Sequence, residues 1–174
     1  MYYKLRKKLA KDETTISVGN GLYDIGSGPT DRFNEIWAFT FRGDSTGAFY
    51  ADLAERYTCN SDISLPVGTL MEVSDGEFDS EICDEVLSDC VIGIISENPA
   101  FEMNMSIENA ATIGLVGTLP VRVIGPVKKR DILVSAGAGC VRAAKDKLER
   151  SFKVGIAFET NDDLGEKLVK CFIK

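Results

Sequence analysis

Two carboxylates beside an arginine are the side chains best placed by type and spacing to do chemistry in this chain of 174 residues. Asp52 and Glu55 lie three positions apart next to Arg56, and on a helical turn both carboxylates would share one face. Such a pair can act as general acid and base when a nucleophile stands beside it. No nucleophile is evident there, so the other interpretation is an ion-paired or capping cluster that fixes a domain junction.

Histidine is absent from the chain, and the five cysteines form no CxxC pair. Ser-His-Asp and Cys-His mechanisms are excluded, because no imidazole can serve as the base. Zinc sites are disfavoured for the same reason, since they use His or closely spaced thiols. We expect the cysteines to be reduced, small residues of the core.

Two loops invite comparison with ligand-binding motifs. Asp75, Glu77 and Asp79 alternate around Gly76 but lack the later bidentate Glu of an EF-hand, so a solvated hairpin is expected. The run Ala-Gly-Ala-Gly at 136–139 is not followed by the Lys-Ser/Thr of a phosphate loop, which makes it a turn of small residues. The sequence therefore predicts neither a metal site nor a cofactor.

Basic and aromatic residues supply candidate binding surfaces. Lys128, Lys129 and Arg130 form a basic tip between predicted strands, either a solvated turn or a contact for an acidic partner. Tyr2 and Tyr3 lie among basic residues at the N-terminus, which suits a solvated arm, an edge strand or a docking arm for a partner.

An aromatic triplet forms a second kind of candidate surface. Trp37, Phe39 and Phe41 alternate as on one face of a strand, where they would pack in a core or subunit interface, or stack on sugar rings.

Acidic residues outnumber basic ones by 27 to 20, which leaves a net charge of −7. This balance argues against a nucleic-acid partner, because phosphate contacts need clustered Lys and Arg. No apolar run approaches the ~20 residues of a membrane span, and no signal-peptide core is present at the N-terminus. We expect a soluble protein made in a cytosol, without membrane insertion.

The stretch 90–100, Cys-Val-Ile-Gly-Ile-Ile-Ser-Glu-Asn-Pro-Ala, predicts a buried strand at the centre of a sheet, followed by a sharp exit. The run 152–160 has the same shape, and Gly155 lies 62 positions after Gly93. At the same offset, Thr-Leu-Met at 69–71 matches Asp-Ile-Leu at 131–133. These agreements predict an internal β-turn-β duplication, with copies at 65–97 and 127–159, unless two unrelated strands each need a glycine.

Short segments rich in Val, Ile, Leu and Phe recur between turns from residue 65 onward, and this spacing predicts a mainly β fold, an antiparallel barrel or sandwich. We expect strands at 69–73, 111–116, 120–124, 132–135, 154–158 and 167–173. Residues 48–57 could form a helical turn or the first strand. Segments 79–88 and 143–150 are helix-compatible, which allows one or two short helices, and either could instead be a loop.

The first part of the chain, 1–47, is expected to be a β-arm, with a globular β-rich domain at 48–174. Strands in the arm are too short to build a core alone, and its large apolar side chains need cover that symmetric copies would supply. We place the interface between copies at the arm residues Ile25, Phe33, Ile36, Trp37, Phe39 and Phe41.

Several short motifs follow one another in a distinctive order. They are Ile-Gly-Ser at 25–27, Arg-Phe-Asn-Glu-Ile-Trp-Ala at 32–38, Phe-Arg-Gly at 41–43 and Ala-Asp-Leu-Ala-Glu-Arg-Tyr at 51–57, continued by 91–104 and 117–127. Together they resemble the C-terminal part of bacteriophage tail-fibre and appendage proteins, over about residues 22–160. They also resemble the domain known as peptidase G2, or the intramolecular chaperone autoproteolytic domain.

The resemblance implies a homotrimeric virion protein with intertwined β-structure ahead of a globular domain. In related proteins such a domain helps three chains fold together, and some cut themselves between a Ser and an Asp, with the Ser hydroxyl as nucleophile. The corresponding junction here reads Tyr50-Ala51-Asp52, and Ala51 offers no nucleophile, so this bond should stay intact. Arg130 departs from the Gly expected before residue 131, which questions the geometry of that turn.

We therefore expect a structural component of a phage virion, assembled in the host bacterial cytoplasm. As a tail-fibre, baseplate or appendage protein it would trimerise and attach to other tail proteins or to a host receptor, without being an enzyme. One alternative is a self-cleaving intramolecular chaperone that uses Asp52 and Glu55. The other is a carbohydrate-binding fibre tip that stacks a host surface glycan on Trp37.

Overall fold

The computed structural model describes residues 51–60 and 65–174. The predicted arm at 1–47, its six interface residues, the domain boundary and the pair Tyr2 and Tyr3 lie outside these residues. Within them no helix is long and apolar enough to cross a bilayer.

The described residues form strands joined by turns and one short 3₁₀ helix. The strands are β1 (Ala51–Thr58), β2 (Leu70–Val73), β3 (Ser80–Ile82), β4 (Val91–Ile95), β5 (Phe101–Met103), β6 (Ala110–Ile124), β7 (Ile132–Gly137), β8 (Cys140–Ala143), β9 (Gly155–Ala157) and β10 (Glu166–Ile173), and the 3₁₀ helix is η1 (Glu149–Phe152). The predicted mainly β fold is confirmed.

The long strand β6 holds the sheet together. Its second half pairs antiparallel with β10, and Val123 bridges to Val141 of β8. Because β10 pairs with β9, and β7 lies between β9 and β8, these strands close into a barrel with β6. The first half of β6 pairs with β1 and β4, and β2 and β3 continue the sheet beyond β4. β5 runs parallel to β1.

Alternate apolar side chains of β6 and β10 fill the barrel, as the period of a strand requires. The buried residues of these two strands include Leu119, Val121, Val123, Val169, Cys171 and Ile173. They pack in one cluster with Leu133 and Val141. A smaller cluster around Met71, Ile95 and Ile113 joins β2, β4 and the first half of β6.

The two predicted copies of the β-turn-β unit fold alike, and we call them the first repeat (65–97) and the second repeat (127–159). Met71 pairs with Gly93 in the first, and Leu133 pairs with Gly155 in the second, which is the same pairing 62 residues later. In each repeat the first strand also pairs with a second one, β2 with β3 and β7 with β8. The shared register supports the predicted duplication.

The turn that precedes β2 and β7 is also the same in both repeats. The Gly68 N–H donates to the Ile95 carbonyl at 2.9 Å, and the Arg130 N–H donates to the Ala157 carbonyl at 2.8 Å. The return bonds, from the Ile95 and Ala157 N–H groups to residues 69 and 131, are 2.8 and 3.0 Å long. Equivalent hydrogen bonds thus attach the two turns to the ends of the equivalent strands β4 and β9.

Some expectations about local structure are wrong. Segment 79–88 contains β3, and 143–150 contains the end of β8 and the start of η1, so neither forms an α-helix. The segments 111–116 and 120–124 belong to the single strand β6. Gly117 and Pro120 do not break this strand, because β10 pairs with it continuously from residue 117 to residue 124. The loss of one N–H donor at the proline is small beside these other pairings.

Candidate functional site

Asp52 is a buried carboxylate near the start of β1. Side chains alternate along a strand, and here Asp52 and Ala54 are buried whereas Leu53 and Glu55 are half-buried. The strand alternative for 48–57 is therefore the correct one for its described part. Asp52 and Glu55 face opposite sides of β1, so the shared face that a helical turn would give them does not exist.

Two glycines of β6 make the space that Asp52 occupies. A Cβ atom at Gly114 would lie 2.8 Å from Oδ2 of Asp52, and one at Gly117 would lie 2.5 Å from its Cα atom. On the other side of β1, the N–H of Ala100 donates to the carbonyl of Asp52 at 3.0 Å. We call Asp52, together with Ala100, Gly114, Gly117 and the nearby Ser96, the junction site.

The carboxylate of Asp52 has no hydrogen-bond partner in the described residues, although only 3% of the residue is exposed. The Ser96 hydroxyl is likewise buried and without a partner there. Burial raises the pKa of Asp52, because a charged carboxylate loses its hydration. The Ser96 hydroxyl and the N–H groups of Asp52 and Ala100 partly oppose this rise, but none of them meets hydrogen-bond geometry with the carboxylate.

Glu55 and Arg56 are held in structural contacts instead. Glu55 accepts hydrogen bonds from the hydroxyl of Tyr57 at 2.8 Å and from the amide of Asn104 at 2.6 Å. Arg56 forms an ion pair with Glu102 at 2.9 Å. These contacts tie β1 to the segment around β5. They support the ion-paired interpretation for Arg56, whereas Glu55 is bound by two neutral groups, and neither residue contacts the carboxylate of Asp52.

Ser96 was not singled out by the sequence analysis. The available signal is its position, because it is the first polar residue after the apolar strand β4. A buried hydroxyl beside a buried carboxyl is an arrangement that can pass a proton, and a hydroxyl activated in this way can act as a nucleophile. The junction site therefore contains an acid at the Ala51–Asp52 bond and, near its carboxylate, the hydroxyl of Ser96.

The basic tip, defined as Lys128, Lys129 and Arg130, lies on the turn that enters β7. All three residues are exposed, and no ion pair to them occurs within the described ranges. Their backbone N–H groups are occupied, by Asp131 Oδ2 at 2.8 Å, Thr160 Oγ1 at 3.0 Å and the Ala157 carbonyl at 2.8 Å. The side chains, and not the backbone N–H groups, are therefore the donors that can bind a partner.

Arg130 adopts the left-handed conformation that a Gly at this position would favour, with a φ of 80°. The turn thus keeps the geometry expected for Gly, and the arginine bears the strain. A bulky residue in this region of φ is unusual and needs the surrounding structure to hold it there.

The remaining candidate motifs are turns or core residues. Asp75, Gly76 and Glu77 lie in the exposed connection between β2 and β3, and 136–139 comprises the end of β7 and the two residues that connect it to β8. In the part of the chain that the structure describes, no three metal-binding side chains converge. Four cysteines are buried as expected, but Cys90 is exposed. Trp37 lies outside the described residues, so the carbohydrate-binding alternative stays a prediction.

Comparison with known proteins adds a likeness of fold. No family model matches the chain, and no curated protein matches it. Among solved structures, it is similar to the crystal structure of pre-mature bacteriophage phi29 gene product 12, with a TM-score of 0.54 and 14% sequence identity. The match covers 74% of this chain and 22% of the phi29 chain, so the present chain spans only a fraction of that protein's length. The described domain thus has a fold that also occurs in a phage protein.

Proposed function

We propose that this protein is a structural component of a phage virion that trimerises and attaches to other tail or baseplate proteins or to a host receptor. The observation that carries the proposal is the fold it shares with a bacteriophage gene product over 74% of its length. The motif order in 25–57 and 91–127 supports the same class, because it resembles tail-fibre and appendage proteins.

The contacts of the described domain suit a mechanical role. A barrel closed around β6 leaves few open strand edges, which protects a virion protein from pairing with the wrong chain. The ion pairs Arg56–Glu102 and Arg122–Glu166 each join segments that lie more than forty residues apart along the chain. They hold the domain in one shape, which is the property an attachment component needs.

Light scattering of the purified chain tests the assembly proposal. A trimer has three times the 19.0 kDa mass of one chain. A mass of 19.0 kDa at micromolar concentration, with the chain folded by circular dichroism, would overturn the trimer.

We propose as the second candidate an intramolecular chaperone of the self-cleaving type, whose junction lacks a nucleophile because Ala51 stands at that position. The supporting observation is the buried carboxyl of Asp52 beside the buried hydroxyl of Ser96. On this proposal the natural chain stays intact, because Ala51 has no hydroxyl. In the variant Ala51→Ser the new hydroxyl would attack the carbonyl of residue 50, and its proton would pass to the leaving amine through a carboxylate. Water would then hydrolyse the resulting ester and release a fragment that begins at residue 51.

Intact mass spectrometry under denaturing conditions reads this outcome directly. The matched control is the double variant Ala51→Ser with Asp52→Asn, which keeps the new hydroxyl and removes the acid. Cleavage of Ala51→Ser but not of the control supports a functional junction. An uncut Ala51→Ser chain that is folded and trimeric removes the self-cleavage candidate and leaves the structural one in place.

A further inference from the structure

The two repeats share a backbone but carry opposite charge. The first repeat, 65–97, contains nine acidic residues and no basic one, a net charge of −9. The second repeat, 127–159, contains eight basic and four acidic residues, a net charge of +4. No Lys or Arg occurs anywhere in 57–121. One domain therefore presents an acidic half and a basic half, which is the distribution that favours association of opposite surfaces.

Each half carries exposed charges on a turn. The basic tip is exposed, and its side chains form no ion pair within the described residues. The connection between β2 and β3 carries Asp75 and Glu77, and we call these two residues the acidic hairpin. Both are exposed, and neither carboxylate accepts a hydrogen bond or joins an ion pair in residues 51–60 and 65–174.

The two turns belong to different parts of the fold. The acidic hairpin joins β2 to β3, the last strand at one end of the sheet order, whereas the basic tip leads into β7 within the barrel. Two unlike surfaces on one subunit allow a heterologous contact, in which one surface of a subunit binds the other surface of the next. Contacts of this type form a ring when the rotation between successive subunits closes, and a cyclic trimer consists of three of them.

The geometry of the basic tip indicates the chemistry of its partner. Its backbone N–H groups are already bonded, so the turn offers no nest of N–H groups for a single phosphate. Binding must use the long side chains, which suit carboxylates spread over a protein surface. Strain at Arg130 also fits a binding role, because backbone outliers cluster at functional positions.

We propose that the basic tip of one copy of this chain binds the acidic hairpin of a second copy, so that the subunits join head to tail. The inference rests on the proposed trimer and adds the surfaces through which its globular domains meet. Attraction between these surfaces is screened by salt, since exposed charges interact over about one Debye length. Association should therefore weaken as the salt concentration rises.

Charge exchange tests the proposal. We expect Lys128→Glu with Lys129→Glu to raise the dissociation constant of the assembly at least about tenfold at low salt, because like charges then face each other. We expect Asp75→Lys with Glu77→Lys to do the same. The chain that carries all four changes restores opposite charges and should assemble like the natural chain. The measurement is the mass by light scattering through a dilution series at low and high salt.

The matched control is Lys147→Glu with Lys170→Glu, which makes the same change of net charge at two exposed lysines outside the tip. We expect it to assemble normally. Thermal unfolding confirms that each variant is folded. A single exchange that leaves the dissociation constant unchanged, or a four-change chain that is not rescued, overturns the proposal while the trimer stands. A monomeric natural chain overturns the trimer and, with it, this contact.

Discussion

The first and second repeats have the same backbone but different surroundings. The turn before β2 is buried at Gly68, and the N–H of Arg122 in β6 donates to the Gly68 carbonyl at 2.9 Å. The equivalent turn before β7 is exposed at Arg130. Both residues have a φ of 80° to 85°. Hydrogen bonds therefore fix the turn, whereas burial decides whether the turn can carry a side chain.

The glycine shared by both repeats is explained by the strand beside it. A Cβ atom at Gly93 would lie 2.2 Å from the Gly114 carbonyl oxygen of β6, and one at Gly155 would lie 2.6 Å from the Phe172 carbonyl oxygen of β10. In each repeat the neighbouring strand passes too close for any side chain. Both repeats therefore need a glycine where a neighbouring strand passes close by, and they differ in residue type at the turn that is buried in one repeat and exposed in the other.

Among the changes proposed, adding a methyl group to either shared glycine should lower the free energy of unfolding most. We expect Gly93→Ala to lower the free energy of unfolding by about 3 kcal/mol and Gly155→Ala by somewhat less, because each Cβ would overlap a backbone oxygen. Urea denaturation measures both. The control is Gly76→Ala, where the nearest atom lies 3.4 Å away. If Gly155→Ala is as stable as the natural chain, the repeats are not equivalent at this position.

The buried turn should tolerate change less than the exposed one. At Gly68 an added Cβ would lie 2.7 Å from Cδ2 of Leu168 and 3.0 Å from the Arg122 nitrogen. We expect Gly68→Ala to cost about 2 kcal/mol of unfolding free energy, from this overlap and the left-handed φ. Arg130→Ala is the matched change in the second repeat, and it should cost little. Equal losses would contradict the role given to burial.

A substitution at Asp52, which lies outside both repeats, should raise the free energy of unfolding, in contrast to the glycine substitutions. We expect Asp52→Asn to raise the free energy of unfolding at pH 7 by about 1 kcal/mol, because a buried charge without a partner is removed. Since burial raises the pKa of Asp52, its contribution to stability falls as pH rises above the ordinary pKa of 3.8. The variant should lack this fall. Urea denaturation between pH 4 and pH 8 checks it, and a parallel fall in both chains would refute the assignment.

Relief of strain at Arg130 should produce a smaller gain. A left-handed arginine costs about 1–2 kcal/mol, part of which Arg130→Gly recovers after the greater chain entropy of Gly is subtracted. We expect a net gain of up to about 1 kcal/mol in unfolding free energy. The same variant should weaken assembly, because it removes one charge of the basic tip. A variant that is less stable than the natural chain would show that the arginine side chain supports the fold.

The smallest effect concerns an ion pair that only the second repeat can form. Arg142 binds Glu149 with two hydrogen bonds of 2.7 and 3.0 Å, and this guanidinium lowers the pKa of Glu149 to about 2. A lowered pKa stabilises the fold above the ordinary value of 4.5, and this contribution is lost as pH falls toward 2. We expect Arg142→Gln to show a smaller drop in melting temperature between pH 6 and pH 3. An unchanged drop would mean that other carboxylates cause it.

Much of the described fold could be predicted from local pattern. The strand at 90–100 and the 62-residue offset located the two repeats, because a buried strand and a close backbone contact each demand particular residue types. Strand boundaries near Gly117 and Pro120 could not be predicted, since neighbouring strands override these breakers. The segment 143–150 is helix-compatible by sequence alone, but the ion pair between Arg142 and Glu149 stabilises a conformation other than an α-helix.

The junction site was predicted only in part. Asp52 was singled out from its type and position, but its burial depends on Gly114 and Gly117, more than sixty residues further along the chain. Ser96 meets it through the same long-range pairing. Neither contact leaves a local signal, because both arise from the pairing of β1 and β4 with β6.

The sequence by itself determined the β class, the duplicated unit and the charge of each repeat, because these depend on side-chain type and short spacing. Tertiary structure decided which equivalent turn is buried, which carboxylate loses its water and which charges remain free at the surface. The reason is that burial and pairing belong to strands that are distant in the chain, and only their assembly into one sheet brings their atoms together.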